Sequence, residues 1–410
     1  MPAPHPTPTS RERVGWPVVI VLASLAAVAP IATDLYLPGF PELGAELGVS
    51  TSGVQLTLTA FLVGMAVGQL VMGPLSDRVG RRGPLVGSAV VCVVAGAASA
   101  LAPTLPVLLG ARLLQGLAGA GGMVIGRAVI ADLVTGRAAA KALTLVLTVG
   151  GVAPVLAPLV GGLLLGPVGW RGLLWTVTGL CLAMLIGVLL ALPESLPRER
   201  RSAAGTSLRR SVGSVLGRPS FLPPLGVFTL AFGLMMAYIA ASPFVYRTVV
   251  GLSEVGYGLA FGVNAIALIS AGWVSSRLVD RVDPGRLVRT AVAVQLVAAL
   301  AFVALAAAGA PPWTLPVAIL VAVAAGGGIL GNSAAIAMGT VRDLAGTGSA
   351  LLGFSQFALG AVVSPLVGLG GESSALVPAV VMAACSAGAL LLSRHAAFGS
   401  RDRAPVTART

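Results

Sequence analysis

Charge is what this chain most lacks. Aspartate, glutamate, lysine and arginine make up 10% of its 410 residues, against 56% hydrophobic, and the mean hydropathy is +0.96. Such a composition excludes an ordinary soluble globular protein, whose surface carries most of its charged side chains. Histidine is almost absent: His5 and His395 stand at opposite ends, so no histidine-based catalytic or metal centre is expected within the apolar body. The three cysteines, Cys92, Cys181 and Cys385, occupy separate apolar spans without metal-like spacing. They read as small core residues and imply no disulfide. There is also no Gly-x-x-x-x-Gly-Lys-Ser/Thr run for a nucleotide phosphate. No catalytic residue, metal or cofactor is expected, no soluble catalytic domain is present, and any work the chain performs would draw on an ion gradient.

What is there instead is long uncharged sequence. Acidic and basic residues fall in short clusters separated by charge-free gaps at 47–76, 83–111, 142–170, 172–193, 219–246, 255–276, 290–341, 344–371 and 373–393. Each gap exceeds the ~20 residues a helix needs to cross the hydrocarbon core. The 290–341 gap holds two spans, divided at Gly309-Ala310-Pro311-Pro312. Two further spans are interrupted by charge, the first by Asp34 and the fourth by Arg112 and Arg127. The expectation is an all-α, multi-pass membrane protein with twelve transmembrane helices.

Basic residues are distributed unevenly. With both termini inside, 22 of the 26 Lys and Arg lie in inner loops and tails, and the outer side keeps only Arg171 and Arg247. This is the positive-inside bias, and it orients both termini to the cytoplasm. It also accounts for the net charge of +12 without a nucleic-acid partner. Residues 1–15 are polar and proline-rich, and no small-residue cleavage site follows the first apolar run, so that run is expected to remain as an anchor.

An arginine- and serine-rich stretch over 193–220 reads as a cytoplasmic linker facing lipid headgroups. It divides the chain into a tail (1–15), a six-helix bundle (16–192), the linker (193–220), a second six-helix bundle (221–394) and a tail (395–410). An internal echo supports the division: Gly73, Arg78 and Arg82 recur 199 residues later as Gly272, Arg277 and Arg281, while Asp77 becomes Ser276. A looser echo pairs Gly121-Gly122 with Gly327-Gly328. Parallel six-helix repeats place a substrate site between the halves near the midplane.

The loop after the second span, Gly73-Pro-Leu-Ser-Asp77-Arg78-Val-Gly80-Arg81-Arg82, resembles the inner-loop signature of the major facilitator superfamily at nearly every position. The resemblance implies a conformational latch of Asp77, Arg78 and Arg81, with Gly73, Gly80 and Arg82 in the same signature and Asp132 as ionic partner. Arg112-Leu-Leu-Gln115-Gly116 resembles the family's helix-4 signature, which assists proton transfer. Arg112 lies about six residues, or ~9 Å, below the outer end of its span at 1.5 Å per residue, and Asp34 lies at a similar depth on the first span. The two charges are expected to meet, so that movement of Arg112 would switch proton uptake and release at Asp34. Gly150-Gly151, Pro154, Pro158 and Gly161-Gly162 resemble the helix-5 antiporter signature, except that Ala157 stands where a glycine is usual. Prolines bend that helix and glycines admit close neighbours.

Asp34-Leu-Tyr36-Leu37-Pro38-Gly-Phe-Pro41, with Arg127-Ala-Val-Ile-Ala-Asp132 and Gly169-Trp170-Arg171, narrows the resemblance to the bicyclomycin and chloramphenicol resistance (Bcr/CflA) branch of drug:proton antiporters. It implies that Asp34 both takes the proton and binds drug. Some related exporters carry a second acid two turns earlier in helix 1, where this chain has Ala26; neutral or zwitterionic amphipathic drugs are therefore favoured over cations. Tyr36, Phe232, Tyr238, Asn264, Asn332, Phe354, Gln356 and Phe357 are candidate cavity residues, though an intramembrane Asn or Gln serves equally well as glue between helices. The expected protein is a monomeric exporter in the bacterial cytoplasmic membrane, with drug, protons and lipid as partners. Proton-coupled uptake of a small metabolite is the alternative.

Overall fold

A computed structural model describes residues 16–133, 136–201, 208–395 and 398. The expected tails, apart from His395 and Phe398, and residues 202–207 of the expected linker lie outside the described residues. Among the described residues every regular element is helical: α1 (Trp16–Asp34), α2 (Phe40–Leu47), α3 (Thr51–Val79), α4 (Arg82–Ala100), α5 (Leu105–Leu133), α6 (Gly136–Ala191), α7 (Leu208–Leu216), α8 (Leu222–Pro243), α9 (Glu254–Leu278), α10 (Pro284–Ala307), α11 (Leu315–Gly339), α12 (Ala345–Leu366) and α13 (Leu376–Ser393). Helix is the economical answer to this composition, because in lipid each backbone N–H and C=O must find its partner within the chain.

Eleven helical segments among the described residues are long and apolar enough to cross a membrane. One of them belongs to α6, whose 56 residues would run ~84 Å if straight, nearly three times the ~30 Å hydrocarbon thickness. The helix does not run straight. Gly169, two residues after Pro167, takes φ 67° and ψ 176°, and the chain turns there. Only glycine adopts that conformation without strain.

Local signals set the ends of other helices. Ser50 and Ser253 accept the N–H of Gly53 and Gly256 to cap α3 and α9, and Asp283 accepts that of Arg286 before Pro284 opens α10. Gly309-Ala310-Pro311-Pro312 separates α10 from α11 as its composition requires.

Helices before residue 192 pack chiefly with one another, α3 on α5, α1 and α4 on α6, and α4 on α5. Those after 221 do the same, α9 and α10 on α11, and α8 and α10 on α13. The two groups meet along α3 with α12 and along α6 with α9. Close backbone approach recurs in each group. A Cβ on Gly116 of α5 would lie 2.0 Å from the Phe61 carbonyl of α3, and one on Gly327 of α11 would lie 2.1 Å from the Leu268 carbonyl of α9.

Candidate functional site

Between the two groups of helices lies a cavity of about 240 Å³. Its wall is mostly apolar, with Phe61, Phe232, Phe261 and Phe357 as rings and Met123, Met235 and Met236 as adaptable thioethers. Polar side chains reach it from four lining residues: Thr33, Asp34, Tyr238 and Gln356. A few polar groups set in apolar surface are the usual makeup of a small-molecule site, and this volume falls just short of the ~300–1,000 Å³ such sites span.

Asp34 is the last residue of α1 and only 3% exposed. Its Oδ1 stands 2.8 Å from the Thr33 hydroxyl, which also lies 3.0 Å from the Ala29 carbonyl and 3.1 Å from that of Pro30, so one proton is shared among three acceptors. Among the described ion pairs none includes Asp34. The expected meeting with Arg112 is therefore corrected. Arg112, fully buried on α5, donates to Gln115 Oε1 at 2.7 Å and to the Ala32 carbonyl at 2.8 Å, and its guanidinium sits 4.5 Å and 4.6 Å from the ring centres of Tyr36 and Phe61. Two aromatic faces and a backbone acceptor hold the cation where sequence alone would pair it with the carboxylate. Its Nε is buried with no hydrogen-bond partner among the described residues.

The other candidates divide. Phe232, Tyr238, Gln356 and Phe357 line the cavity. Tyr36 does not: it is fully buried beneath Arg112, and its hydroxyl pairs with Thr57 at 3.0 Å. Asn264 stands behind the wall, donating to the hydroxyls of Tyr238 at 3.0 Å and Tyr246 at 2.8 Å. Asn332 ties α11 to α9 through Ser275 at 2.7 Å and also donates to Gly328 of its own helix, while Phe354, half-buried, packs against the core. Both asparagines point toward a neighbouring element, a direction the sequence does not fix.

Where α3 ends, Arg81 donates to Ser76 Oγ and Asp132 Oδ2 and pairs with Asp77. Gly80 turns the chain at φ 104°, and a Cβ there would come within 2.5 Å of Glu194. Glu194 accepts the backbone N–H groups of Arg81, Arg82 and Leu196, and Ser195 donates to Asp132. Partial burial works to raise the Glu194 carboxyl, but those N–H groups and the Arg201 charge outweigh it and hold the group below the usual carboxylate range. Arg78 is corrected: it is exposed and outside this cluster. Glu194 and Ser195 were missed because they lie over 60 residues away in sequence, in a loop whose only signal was Pro193-Glu194-Ser195-Leu196-Pro197. Gly73 and Asp77 also border a second cavity, of about 370 Å³, between α3, α5 and the start of α12, where Arg127 and Thr347 face the same space.

At the opposite end, Arg247 lies in a π-helical turn (Phe244–Val249) after α8. It bonds both Glu42 oxygens at 2.9 and 3.0 Å, donates to the Pro38 carbonyl, and approaches Glu254 at 3.5 Å. These contacts join the α1–α2 region to the second group of helices. In α6, Pro154 lines the central cavity. A Cβ on Gly161 would lie 2.0 Å from the Leu35 carbonyl, one on Gly162 2.4 Å from that of Glu254, and one on Gly258 of α9 3.0 Å from that of Pro158; Gly150 faces open space.

The Major Facilitator Superfamily model matches residues 22–365. A Bacillus subtilis (strain 168) protein described as uncharacterized MFS-type transporter YdgK is 34% identical over 93% of this chain and 96% of its own length. The Haemophilus influenzae bicyclomycin resistance protein homolog is 28% identical over 90% and 92%, and an Escherichia coli multidrug resistance protein MdtL 27% identical over 92% and 94%. Among solved structures, a D-xylose-proton symporter superposes with a TM-score of 0.70 at 17% identity, over 91% of this chain and 97% of that one. At that identity the likeness concerns the fold alone. With its apolar helices, its central cavity and a family match over most of its length, the chain belongs to the major facilitator superfamily and is a multi-pass membrane transporter rather than an enzyme.

Proposed function

We propose that this transporter is a proton-coupled antiporter exporting small amphipathic compounds, of the amphenicol or bicyclomycin kind, by alternating access. One observation carries the reading. Asp34 is the carboxylate of the cavity wall, buried and without a described ion-pair partner, and an intramembrane acid so placed calls for a working role. It gives up its proton as substrate enters from the cytoplasm and regains it from outside. Carrying one charge through the membrane potential yields ~2.3 kcal/mol per 100 mV. Relatives named for bicyclomycin and multidrug resistance favour drug as cargo.

Read with α6 divided at Gly169, the helices make twelve spans in two six-helix bundles, 16–192 and 221–394, joined by a cytoplasmic linker over 193–220. The even count keeps both tails (1–15 and 395–410) in the cytoplasm, in line with the basic inner loops. In this orientation the Arg247 cluster closes the outer end and the cavity beside Arg127 opens inward. Phe232, Tyr238, Gln356 and Phe357 contact the substrate, Arg112 positions the end of α1 through Ala32, and the Arg81 cluster latches the inner helix ends. The transporter works as a monomer.

Proteoliposomes carrying an imposed pH gradient and a labelled amphenicol test the proposal. Wild type is expected to move drug against the inward proton flow. Asp34→Asn is expected to fold, bind lipid and lose gradient-driven transport; undiminished efflux in that variant would sink the mechanism. Drug moving in the same direction as the proton would replace export with uptake.

A further inference from the structure

Cys92 of α4 and Cys181 of α6 are 89 residues apart in sequence, yet their sulfurs lie 3.5 Å apart, both as free thiols and both nearly inaccessible. Beside them is a cavity of about 20 Å³, lined by the two cysteines, Met184 and Ser88. That is room for about one water-sized sphere. A water would need two to four polar partners, and here the wall supplies chiefly sulfur and hydrocarbon. We propose that Cys92, Cys181 and Met184 form a binding site for a soft monovalent cation of the Cu(I) class inside the first bundle, separate from the central cavity.

The donor set selects the ion. Two thiolates and a thioether are soft ligands suited to Cu(I). Zinc in a closed site takes four ligands, and calcium or magnesium takes oxygen. With metal–sulfur bonds of about 2.3 Å, as for zinc thiolates, a trigonal arrangement sets the two sulfurs ~4.0 Å apart. The pair therefore opens by about half an ångström, into space already present next to it.

Charge also balances. Binding forms three metal–sulfur bonds, two to thiolates and one to the neutral Met184 thioether, and releases both thiol protons with no change of oxidation state, so one Cu(I) with two thiolates leaves a net single negative charge. One helical turn from the cysteines, Gly96 and Thr178 face Gln115: a Cβ on Gly96 would lie 2.6 Å from Thr178 Oγ1 and 3.1 Å from Gln115 Nε2. Gln115 in turn accepts from Arg112. The guanidinium, buried with no carboxylate in contact, thus sits in the layer next to the thiols and compensates the complex. The site does not depend on what the central cavity carries.

Anaerobic titration of the purified transporter with Cu(I), in competition with a bicinchoninate chelator, tests it. Wild type and Cys385→Ser are expected to bind one equivalent with a sulfur-only first shell by X-ray absorption, and Cys92→Ser and Cys181→Ser to lose it. Stoichiometric binding retained in either serine variant, a shell containing nitrogen or oxygen, or recovery of the pair as a disulfide overturns the proposal. Should a serine variant fail to fold, the wild type still decides: one equivalent of Cu(I) in a three-sulfur shell is expected, and the absence of stoichiometric binding in competition with the chelator overturns the site.

Discussion

Arg112 donates to the carbonyl of Ala32, two residues before Asp34, and not to Asp34 itself. The cation fixes the end of the helix that carries the acid, while the carboxylate stays turned to the cavity. Position is thereby separated from charge. Arg112→Lys keeps the charge and loses the fork: one ammonium cannot stand between the rings of Tyr36 and Phe61 and serve both Gln115 Oε1 and the Ala32 carbonyl. Transport is expected to fall by about tenfold or more, the equivalent of losing one charged hydrogen bond of ~1.5–3 kcal/mol, in a protein that still folds, at a modestly lower melting temperature in detergent. Efflux rates and thermal unfolding measured on the same preparations check this.

The glycines of α6 separate three roles that one sequence signature merges. A Cβ on Gly161 collides with the Leu35 carbonyl within the group of helices before residue 192, so Gly161→Ala is expected to lower the melting temperature whichever way the transporter faces. On Gly162 the collision is with Glu254 of the other group. Gly162→Ala is expected to spare the packing within each group and disfavour the state in which α6 and α9 touch. Gly150 has open space around it, and Gly150→Ala is expected to leave both stability and transport unchanged. Thermal melts of the three variants, with a distance measurement across α6 and α9, distinguish these outcomes.

Much of this architecture was legible because lipid leaves few choices. Charge-free gaps located the spans, and Gly309 to Pro312 marked the break between α10 and α11. The signature after α3 named Arg81, Asp77 and Asp132, which the structure brings into contact. Contacts that depend on helix rotation were not legible. A lone Asn on an apolar helix does not state which neighbour it faces: Asn264 turned out to brace Tyr238 and Asn332 to bind Ser275. Arg112 escaped for another reason, since a sequence displays carboxylates as partners for a cation but not backbone carbonyls or ring faces. The thiol pair of Cys92 and Cys181 was hidden by separation, being created only by the packing of α4 on α6.

Acid should loosen the cluster at the end of α3 through Glu194. Its folded carboxyl is held below the unfolded value of 4.5, so the deprotonated state is the one folding favours. The associated stability is complete above about pH 4.5 and is lost as pH falls through the lower folded value. Glu194→Gln has no such titration. Between pH 5 and the acid limit of the preparation, wild type is expected to lose more of its melting temperature than the variant; parallel decline of both would refute the assignment.

Arg247 provides the remaining test, because it concentrates four acceptors from both groups of helices at one guanidinium: the two Glu42 oxygens, the Pro38 carbonyl and Glu254. Its placement in a π-helical turn is consistent with a functional position, since such turns recur at functional sites. Rocking the bundles apart at this end must break the bonds to Glu42 and Pro38, while Glu254, on the same bundle as Arg247, stays in reach. Arg247→Ala removes them from the closed state only. At ~1.5–3 kcal/mol for a charged hydrogen bond, losing even one shifts the closed-to-open ratio by at least about tenfold. Spin labels at Ala45 of α2 and Val255 of α9, in a chain with its three cysteines replaced, report the separation directly. Wild type is expected to give mainly the short distance and Arg247→Ala a grown long-distance population, and Glu42→Gln an intermediate one, since an amide keeps a single acceptor oxygen. An unchanged distribution in Arg247→Ala would mean that α3 on α12 and α6 on α9 hold this end shut without the charge cluster.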